Sequence, residues 1–404
     1  MTAHGGNIYR AAEELRMSEE GIIDFSASIN PLGVPCSVSL AIGKKIRELV
    51  NYPDPDARGL TGLLGERLGI DPDRIVCGNG STELIYLVVR AMKPRRVLVP
   101  APTFSEYEKA VLQHINGKGG GQSAKRKDNK AAVLHFLLDP KNDFTIDPGE
   151  FVAAMAGDLP CNAIGGIHPK LNTQKPVRSS GRIHSTLNTQ HSTRSFDMAF
   201  LCNPNNPTGR LLKKKEVLKI ARAAEALGCH LVVDEAFIDF LPGESVIREV
   251  GKNPYLTVLR SMTKFYALSG LRLGFGIFPP LVLEALREYK EPWTVNTLAQ
   301  SAGIAALNDR AYSENTFRVI AREKTFLEKG LQRLGIAFIP SRANYYLFRS
   351  EKAAEIVRSL RRKGILVRDC SSFAGLDGSY IRIAVKSRRD NTILLKELSQ
   401  LCGA

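Results

Sequence analysis

The chain has 404 residues, 44% of them hydrophobic and 24% charged, the balance of a soluble globular protein with a large core and room for two domains. No apolar run approaches the roughly 20 residues that span a bilayer, and the opening "MTAHGGNIYRAAEELRMSEE" lacks the apolar stretch of a secretory signal. Seven cysteines without a C-x-x-C pair read as structural thiols in a reducing, cytoplasmic setting, and a formal charge of +15 suits either a polyanion or an anionic small molecule.

In chain order the elements alternate. "IRELVNYPDPDARGLTGLLGERLGI" has helical periodicity on both sides of a Pro-rich break, and "RIVCGNGSTELIYLVVRAM" reads as strand, Gly turn and helix. "RRVLVPAPTFSEY" is a buried strand ending in Pro and a turn, and "AAVLHFLLDPKNDFTIDPGEFVAAMAG" is strand, loop and helix. Residues 116–195 hold eleven Lys or Arg against six acids, and 159–195 hold no acid. That region carries the near-repeat "IHPKLNTQ" and "IHSTLNTQ", so 116–130 and 159–195 read as a basic, flexible insertion. It has no aromatic interleaving of a nucleic-acid module, and His168, His184 and His191 have no metal-ligand spacing. "DMAFLCNPNNPTG" runs from a strand into an Asn/Pro loop, and "EVLKIARAAEALGCHLVVDEAFIDF" is a helix and then a strand ending in acids. "LTVLRSMTKFYALSGLRLGFGIF" adds two strands around a loop. Near residue 285 a mostly helical stretch leads into a helix around 315–334, strands "ANYYLFR" and "YIRIAV", and two further helices. The expectation is an arm (1–30), a large α/β domain with a mainly parallel seven-stranded sheet (31–285) and a smaller α+β domain (286–404).

Ligands of such sheets gather at the C-terminal strand ends, where Gly80–Thr82, Phe104, Asn206, Asp234 and Lys264 all fall. Taken singly, each has an ordinary reading. Gly-rich strand–helix turns are common, Asp234 suits a cap, "NPNNPTG" suits a turn and Lys264 a surface side chain.

Together, "NPNNPTG", then "VDEAF", then "SMTKFYALSGLRLGF" resemble the fold-type-I pyridoxal-phosphate enzymes. The resemblance implies that Lys264 carries the pyridoxal 5'-phosphate covalently and that Asp234 pairs with the ring nitrogen. It further implies that Asn206 bonds the ring's phenolic oxygen and that Phe104 stacks on the ring. Ser81, Thr82, Ser261, Thr263 and Arg272 would hold the phosphate. The functional unit would be a homodimer with shared sites, in which Tyr52 reaches the neighbouring cofactor.

Within that superfamily the chain is similar to histidinol-phosphate aminotransferases and to the threonine-phosphate decarboxylases of cobalamin biosynthesis. "AHGGNIYRAAEEL", "IIDFSASINPLG" and Phe237 lean toward the decarboxylases. That resemblance implies His4, Gly5, Asn30, Asn206, Arg368 and Arg382 as contacts of a phosphorylated amino acid. The implied reaction converts O-phospho-L-threonine to (R)-1-amino-2-propanol O-2-phosphate. The alternatives are a histidinol-phosphate aminotransferase and a regulatory DNA-binding protein of the same fold. The latter would carry a helix-turn-helix module ahead of the fold, whereas the resemblance begins at residue 4. No metal, nucleic-acid or membrane partner is expected.

Overall fold

A computed structural model describes residues 5–117, 132–159, 164–166 and 195–402. Its strands, in chain order, are β1 (Ile23–Asp24), β2 (Ile75–Asn79), β3 (Arg96–Ala101), β4 (Ala132–Leu137), β5 (Ile164–Gly166), β6 (Met198–Cys202), β7 (His230–Asp234), β8 (Leu256–Ser261), β9 (Leu273–Ile277), β10 (Tyr345–Arg349), β11 (Ile365–Leu366), β12 (Arg368–Asp369) and β13 (Tyr380–Ala384). The large sheet has the order β2-β9-β8-β7-β6-β3-β4-β5. The neighbours β8, β7, β6, β3 and β4 run parallel, and β9 and β5 are reversed against their partners.

Every residue of β6, β7 and β8 is buried, as expected of parallel strands covered on both faces. Alternate side chains serve opposite layers. Leu231 and Val233 join the core built with the Lys214–Leu227 helix, whereas Val232 joins the one built with the Ser81–Met92 and Glu106–Gly117 helices. Seven strands match the expected sheet. The eighth, β5, lies inside the stretch read as flexible insertion and pairs antiparallel with β4 at the edge. Its three residues lack the apolar run that marks the others. The rest of the basic insertion lies almost wholly outside the described residues.

The smaller unit has an antiparallel sheet, β10-β13-β12, with a core that includes Tyr345, Phe348, Ile381, Leu327 and Leu394. Two details refine the sequence reading. The arm is part of this unit: β1 pairs parallel with β11 and Phe25 sits in its core. The Thr297–Asn308 helix, assigned by sequence to the smaller unit, instead sends Ala299, Ala302 and Ala306 into the core of the large sheet. Its small residues allow that close approach, which a boundary drawn from helical periodicity does not register.

The turn between β2 and the Ser81–Met92 helix is pressed against β9. A Cβ on Gly274 would overlap the Ser81 amide nitrogen and lie 2.7 Å from the Gly80 carbonyl carbon. Gly274→Ala must therefore part β9 from the helix start. We expect it to lower stability by about 2 kcal/mol, as overpacking generally does, read as a lower urea midpoint at unchanged slope. A midpoint equal to wild type would show that the turn has slack.

Candidate active site

A cavity of about 440 Å³ opens at the C-terminal ends of β6, β7 and β8, where the large sheet meets β12 and β13. Its volume suits a small molecule with a cofactor. The structure brings Gly5, Ser81, Thr82, Phe104, Asn206, Asp234, Ser261, Thr263, Lys264, Arg272, Arg368 and Arg382 into its lining.

At one end the donors suit an anion. The Ser81–Met92 helix starts at Gly80 with no side-chain cap, so its first amides are available to a ligand. Gly80 has φ +78°, and a Cβ there would lie 2.6 Å from a guanidinium nitrogen of Arg272, so only glycine lets that arginine lie over the turn. Ser261 Oγ, on the last residue of β8, and Thr263 Oγ1, just beyond it, are 2.7 Å apart. Arg272 itself holds φ +55°, a left-handed conformation that costs energy for a branched-out side chain.

Asp234 closes the deep end and is 2% exposed. Its Oδ2 accepts from the Tyr107 hydroxyl at 2.7 Å and its Oδ1 from the Ala236 amide at 3.0 Å. Burial raises its pKa to about 6, with the Tyr107 bond, the Ala236 amide and Lys264 acting against the rise and Glu235 adding to it. Lys264 follows β8. Burial lowers its pKa to about 8, helped by the charges of Arg382 and Arg272 and opposed by Asp234 and Asp24. Its Nζ lies 6.0 Å from the centre of the Phe237 ring.

The third wall comes from the smaller unit. Arg368 and Arg382 are direct cross-strand partners on β12 and β13, and both are buried. Arg382 donates to the Ser26 carbonyl at 2.6 Å and to the Asn206 side-chain oxygen, while its Nε has no partner among the described residues. Arg368 donates to Ser372 Oγ at 2.9 Å and lies over the Phe373 ring. Two guanidiniums side by side repel, and burial together with Arg382 lowers the pKa of Arg368. The pair is built for an anion.

Two expected residues stand elsewhere. Asn30 does not line the cavity. Its amide donates to Phe265 O (2.7 Å) and Thr316 Oγ1 (2.8 Å), its Oδ1 accepts from Leu32, and its N–H binds Lys264 O at 3.0 Å. These bonds brace the loop that carries Lys264. Tyr52 is 81% exposed beside Trp293, away from this cavity. His4 lies outside the described residues. Sequence reading also passed over Tyr107, Ser26 and Phe373. Tyr107 had a signal, since it falls one helical turn after Phe104, whereas Ser26 and Phe373 are placed by contacts distant in sequence.

The donor set fits pyridoxal 5'-phosphate: amides, hydroxyls and a guanidinium for a phosphate, an aromatic face at Phe104, a buried carboxylate for a ring nitrogen and a buried amine for an aldehyde. Among the described residues, no group of three or more His, Cys, Asp or Glu is placed to hold a metal, and no helix is long and apolar enough to cross a membrane. A model of the aminotransferase class I and II family matches residues 20–114 and 182–398. The chain belongs to that family. It is 34% identical over 401 residues to the threonine-phosphate decarboxylase of Salmonella typhimurium, covering 98% of this chain and 96% of that protein. Among solved structures, L-threonine-O-3-phosphate decarboxylase from Porphyromonas gingivalis is similar at 25% identity and TM-score 0.72, covering 95% of this chain and 100% of its own. Histidinol-phosphate aminotransferase from Clostridium acetobutylicum is similar at 27% identity and TM-score 0.76, covering 95% and 99%.

The depressed pKa of Lys264 makes a stability prediction for the cofactor-free chain. A lysine titrating near 8 when folded and at 10.5 when unfolded costs stability in full below pH 8, and the cost fades as pH rises toward 10.5. The shift corresponds to about 3 kcal/mol. Lys264→Met should therefore raise the unfolding midpoint of the cofactor-free protein clearly at pH 7 and much less at pH 10. Equal gains at the two pH values, or a loss at pH 7, would contradict the assignment.

Proposed function

We propose that the chain is a pyridoxal-phosphate-dependent decarboxylase that converts O-phospho-L-threonine to carbon dioxide and (R)-1-amino-2-propanol O-2-phosphate, the aminopropanol unit of cobalamin. The observation that carries the reading is the buried Arg368–Arg382 pair facing the same cavity as Lys264 and Asp234. A substrate bearing both a carboxylate and a phosphate satisfies two adjacent guanidiniums at once. Similarity over 98% of the chain to a threonine-phosphate decarboxylase supports the choice of substrate.

In this reaction the bond between Cα and the carboxylate breaks, its electron pair stays at Cα, and a proton takes the place of the lost group. When bound, the cofactor supplies the electron-withdrawing ring that accepts that pair. Asp234 would hold a negative charge against the ring nitrogen, Phe104 would cover the ring, Asn206 would bond the phenolic oxygen, and Ser81, Thr82, Ser261, Thr263 and Arg272 would hold the phosphate. Lys264 would bear the cofactor until the substrate's amine displaces it, and the freed amine, or a water, would return the proton to Cα. Arg368 and Arg382, with Gly5 and His4 on the arm, orient the substrate, and that orientation decides which bond at Cα is cleaved. Asn30 and Thr316 brace the loop behind Lys264.

The working unit is a homodimer. Ile46, Leu49, Val50, Tyr52 and Trp293 are exposed together on the single chain, an apolar surface suited to a second copy. Across that interface the partner's Tyr52 reaches the phosphate donors. Cys36, Cys77, Cys202, Cys229 and Cys370 are free thiols, in keeping with a cytoplasmic protein.

A second reading, histidinol-phosphate aminotransferase, is favoured by the likeness to the Clostridium acetobutylicum structure. The arginine pair admits it, because histidinol phosphate brings a phosphate and its oxoacid partner brings carboxylates. Purified protein supplied with O-phospho-L-threonine and pyridoxal phosphate should release carbon dioxide with no oxoacid present, and Lys264→Ala should abolish release. Amino transfer from histidinol phosphate to 2-oxoglutarate without carbon dioxide would establish the second reading instead. For the interface, Tyr52→Ala and Lys264→Ala chains should each be impaired and should partly restore activity when mixed and allowed to exchange. A chain that sediments as a monomer, or a mixture that recovers nothing, would remove Tyr52 from the site.

A further inference from the structure

Tyr107 takes no part in the chemistry above, yet it touches the group on which the cofactor assignment depends. It is fully buried, stacked on Phe200 (centroids 4.8 Å apart, planes 11° apart) and set edge-on to Phe104 at 5.6 Å. The ring is held on its faces and edge, so the hydroxyl has little freedom. A buried tyrosine hydroxyl takes a polar partner, and this one donates to Asp234 Oδ2 at 2.7 Å. Asp234 makes no salt bridge with any described residue, and its other hydrogen bond from protein is the Ala236 amide.

The surroundings of the carboxylate explain why a neutral donor stands there. Tyr107 comes from the Glu106–Gly117 helix, Cys202 from the end of β6, Glu235 from the residue next in chain, Lys264 from beyond β8, Tyr345 from β10 and Arg382 from β13. Burial and Glu235 favour the protonated acid, and the one cation acting on it, Lys264, opposes them without a direct bond. A cation bonded directly to Asp234 would keep it ionised but would also neutralise the charge that the ring nitrogen needs. A phenol donates a hydrogen bond without doing so.

We propose that Tyr107 is a positioning residue for the cofactor: its hydroxyl orients the Asp234 carboxylate and keeps it charged, so that Asp234 grips the ring nitrogen. The inference rests on the pyridoxal-phosphate reading of the site. Phe104 would cover the ring, and Tyr107, three residues on and packed against Phe104, would control what the ring nitrogen meets. One short segment thereby sets both the face and the polar edge of the cofactor's berth.

The test is pyridoxal-phosphate titration of the cofactor-free full chain, following the visible band of the bound cofactor, for wild type, Tyr107→Phe, Asp234→Asn and the double variant. Phenylalanine keeps the packing, so Tyr107→Phe should melt within a few degrees of wild type. Its affinity for the cofactor should fall roughly tenfold at pH 7, the size of a hydrogen bond to a charged group. The pH midpoint below which affinity declines, near 6 in wild type, should rise by about one unit. In the Asp234→Asn background the Tyr107→Phe change should have no further effect. An unchanged affinity and midpoint in Tyr107→Phe, or a full tenfold loss that persists beside Asp234→Asn, would overturn the role. Wild-type protein that binds no pyridoxal phosphate would instead overturn the cofactor reading. If Tyr107→Phe fails to fold, Phe200→Leu, which loosens the ring and keeps the hydroxyl, should show a smaller loss of affinity and the same direction of pH shift; no shift would count against the proposal.

Discussion

The parallel register of β6, β7 and β8 is the constraint on which the rest depends. It sets Cys202, Asp234 and Leu259 level with one another at the strand ends, and Ser261 lies two residues further along β8. A sheet covered on both faces leaves its edge as the place where charge can be admitted. Asp234 and Lys264 thus enter an apolar setting from adjacent strands. Each is pushed toward its neutral form, so the burial that shapes the pocket also tunes its acid and base.

Such an arrangement needs support behind it. Glu235 follows Asp234 directly, is fully buried, and would add a second negative charge at the same strand end. It is met by Arg260 at 2.9 Å, Ser245 Oγ at 2.6 Å and the Val246 amide at 2.7 Å, and Arg260 also pairs with Asp239. That cluster offsets part of the charge of Glu235, whose remaining field still favours the protonated form of Asp234. Its worth lies in specifying geometry more than in net stability, since a buried ion pair loses in desolvation much of what it gains in attraction. Strands β7 and β8 therefore carry two charge clusters, one facing the cavity and the other closed on itself.

Much of this was legible in the sequence, for local physical reasons. Continuous apolar runs ending in Asn, Asp or Ser mark buried parallel strands with polar tips, and Ser81, Thr82, Asn206, Asp234, Ser261 and Lys264, singled out after β2, β6, β7 and β8, all line the cavity. The Gly78–Thr82 turn was legible for the same reason. Other features depend on contacts that leave no local trace. Asn30 looks like a ligand contact in "SINPLG", but its partners Phe265 and Thr316 are supplied by segments over 200 residues away. The Thr297–Asn308 helix reads as a linker, and only its alanines meeting the large sheet show where it belongs. Strand β5 is three residues long and is made by its partner, not by its own composition.

The pairing of β1 with β11 has a mechanical consequence. Ile23 and Phe25 donate to Gly364 and Leu366, Ala384 donates to Phe25, Asn344 donates to Ser28, and Arg382 donates to Ser26. The arm, Arg368 and Arg382 are thereby stitched into one body, while Lys264, Asp234 and the helix-start donors belong to the large sheet. The cavity thus has two walls of different origin, one on the large sheet with Asp234 and Lys264 and one on the smaller unit with Arg368 and Arg382, tied together by the Arg382–Asn206 and Asn30–Lys264 hydrogen bonds. A shift of one wall against the other would change the distance from Arg368 and Arg382 to Lys264 and would strain those two bonds first.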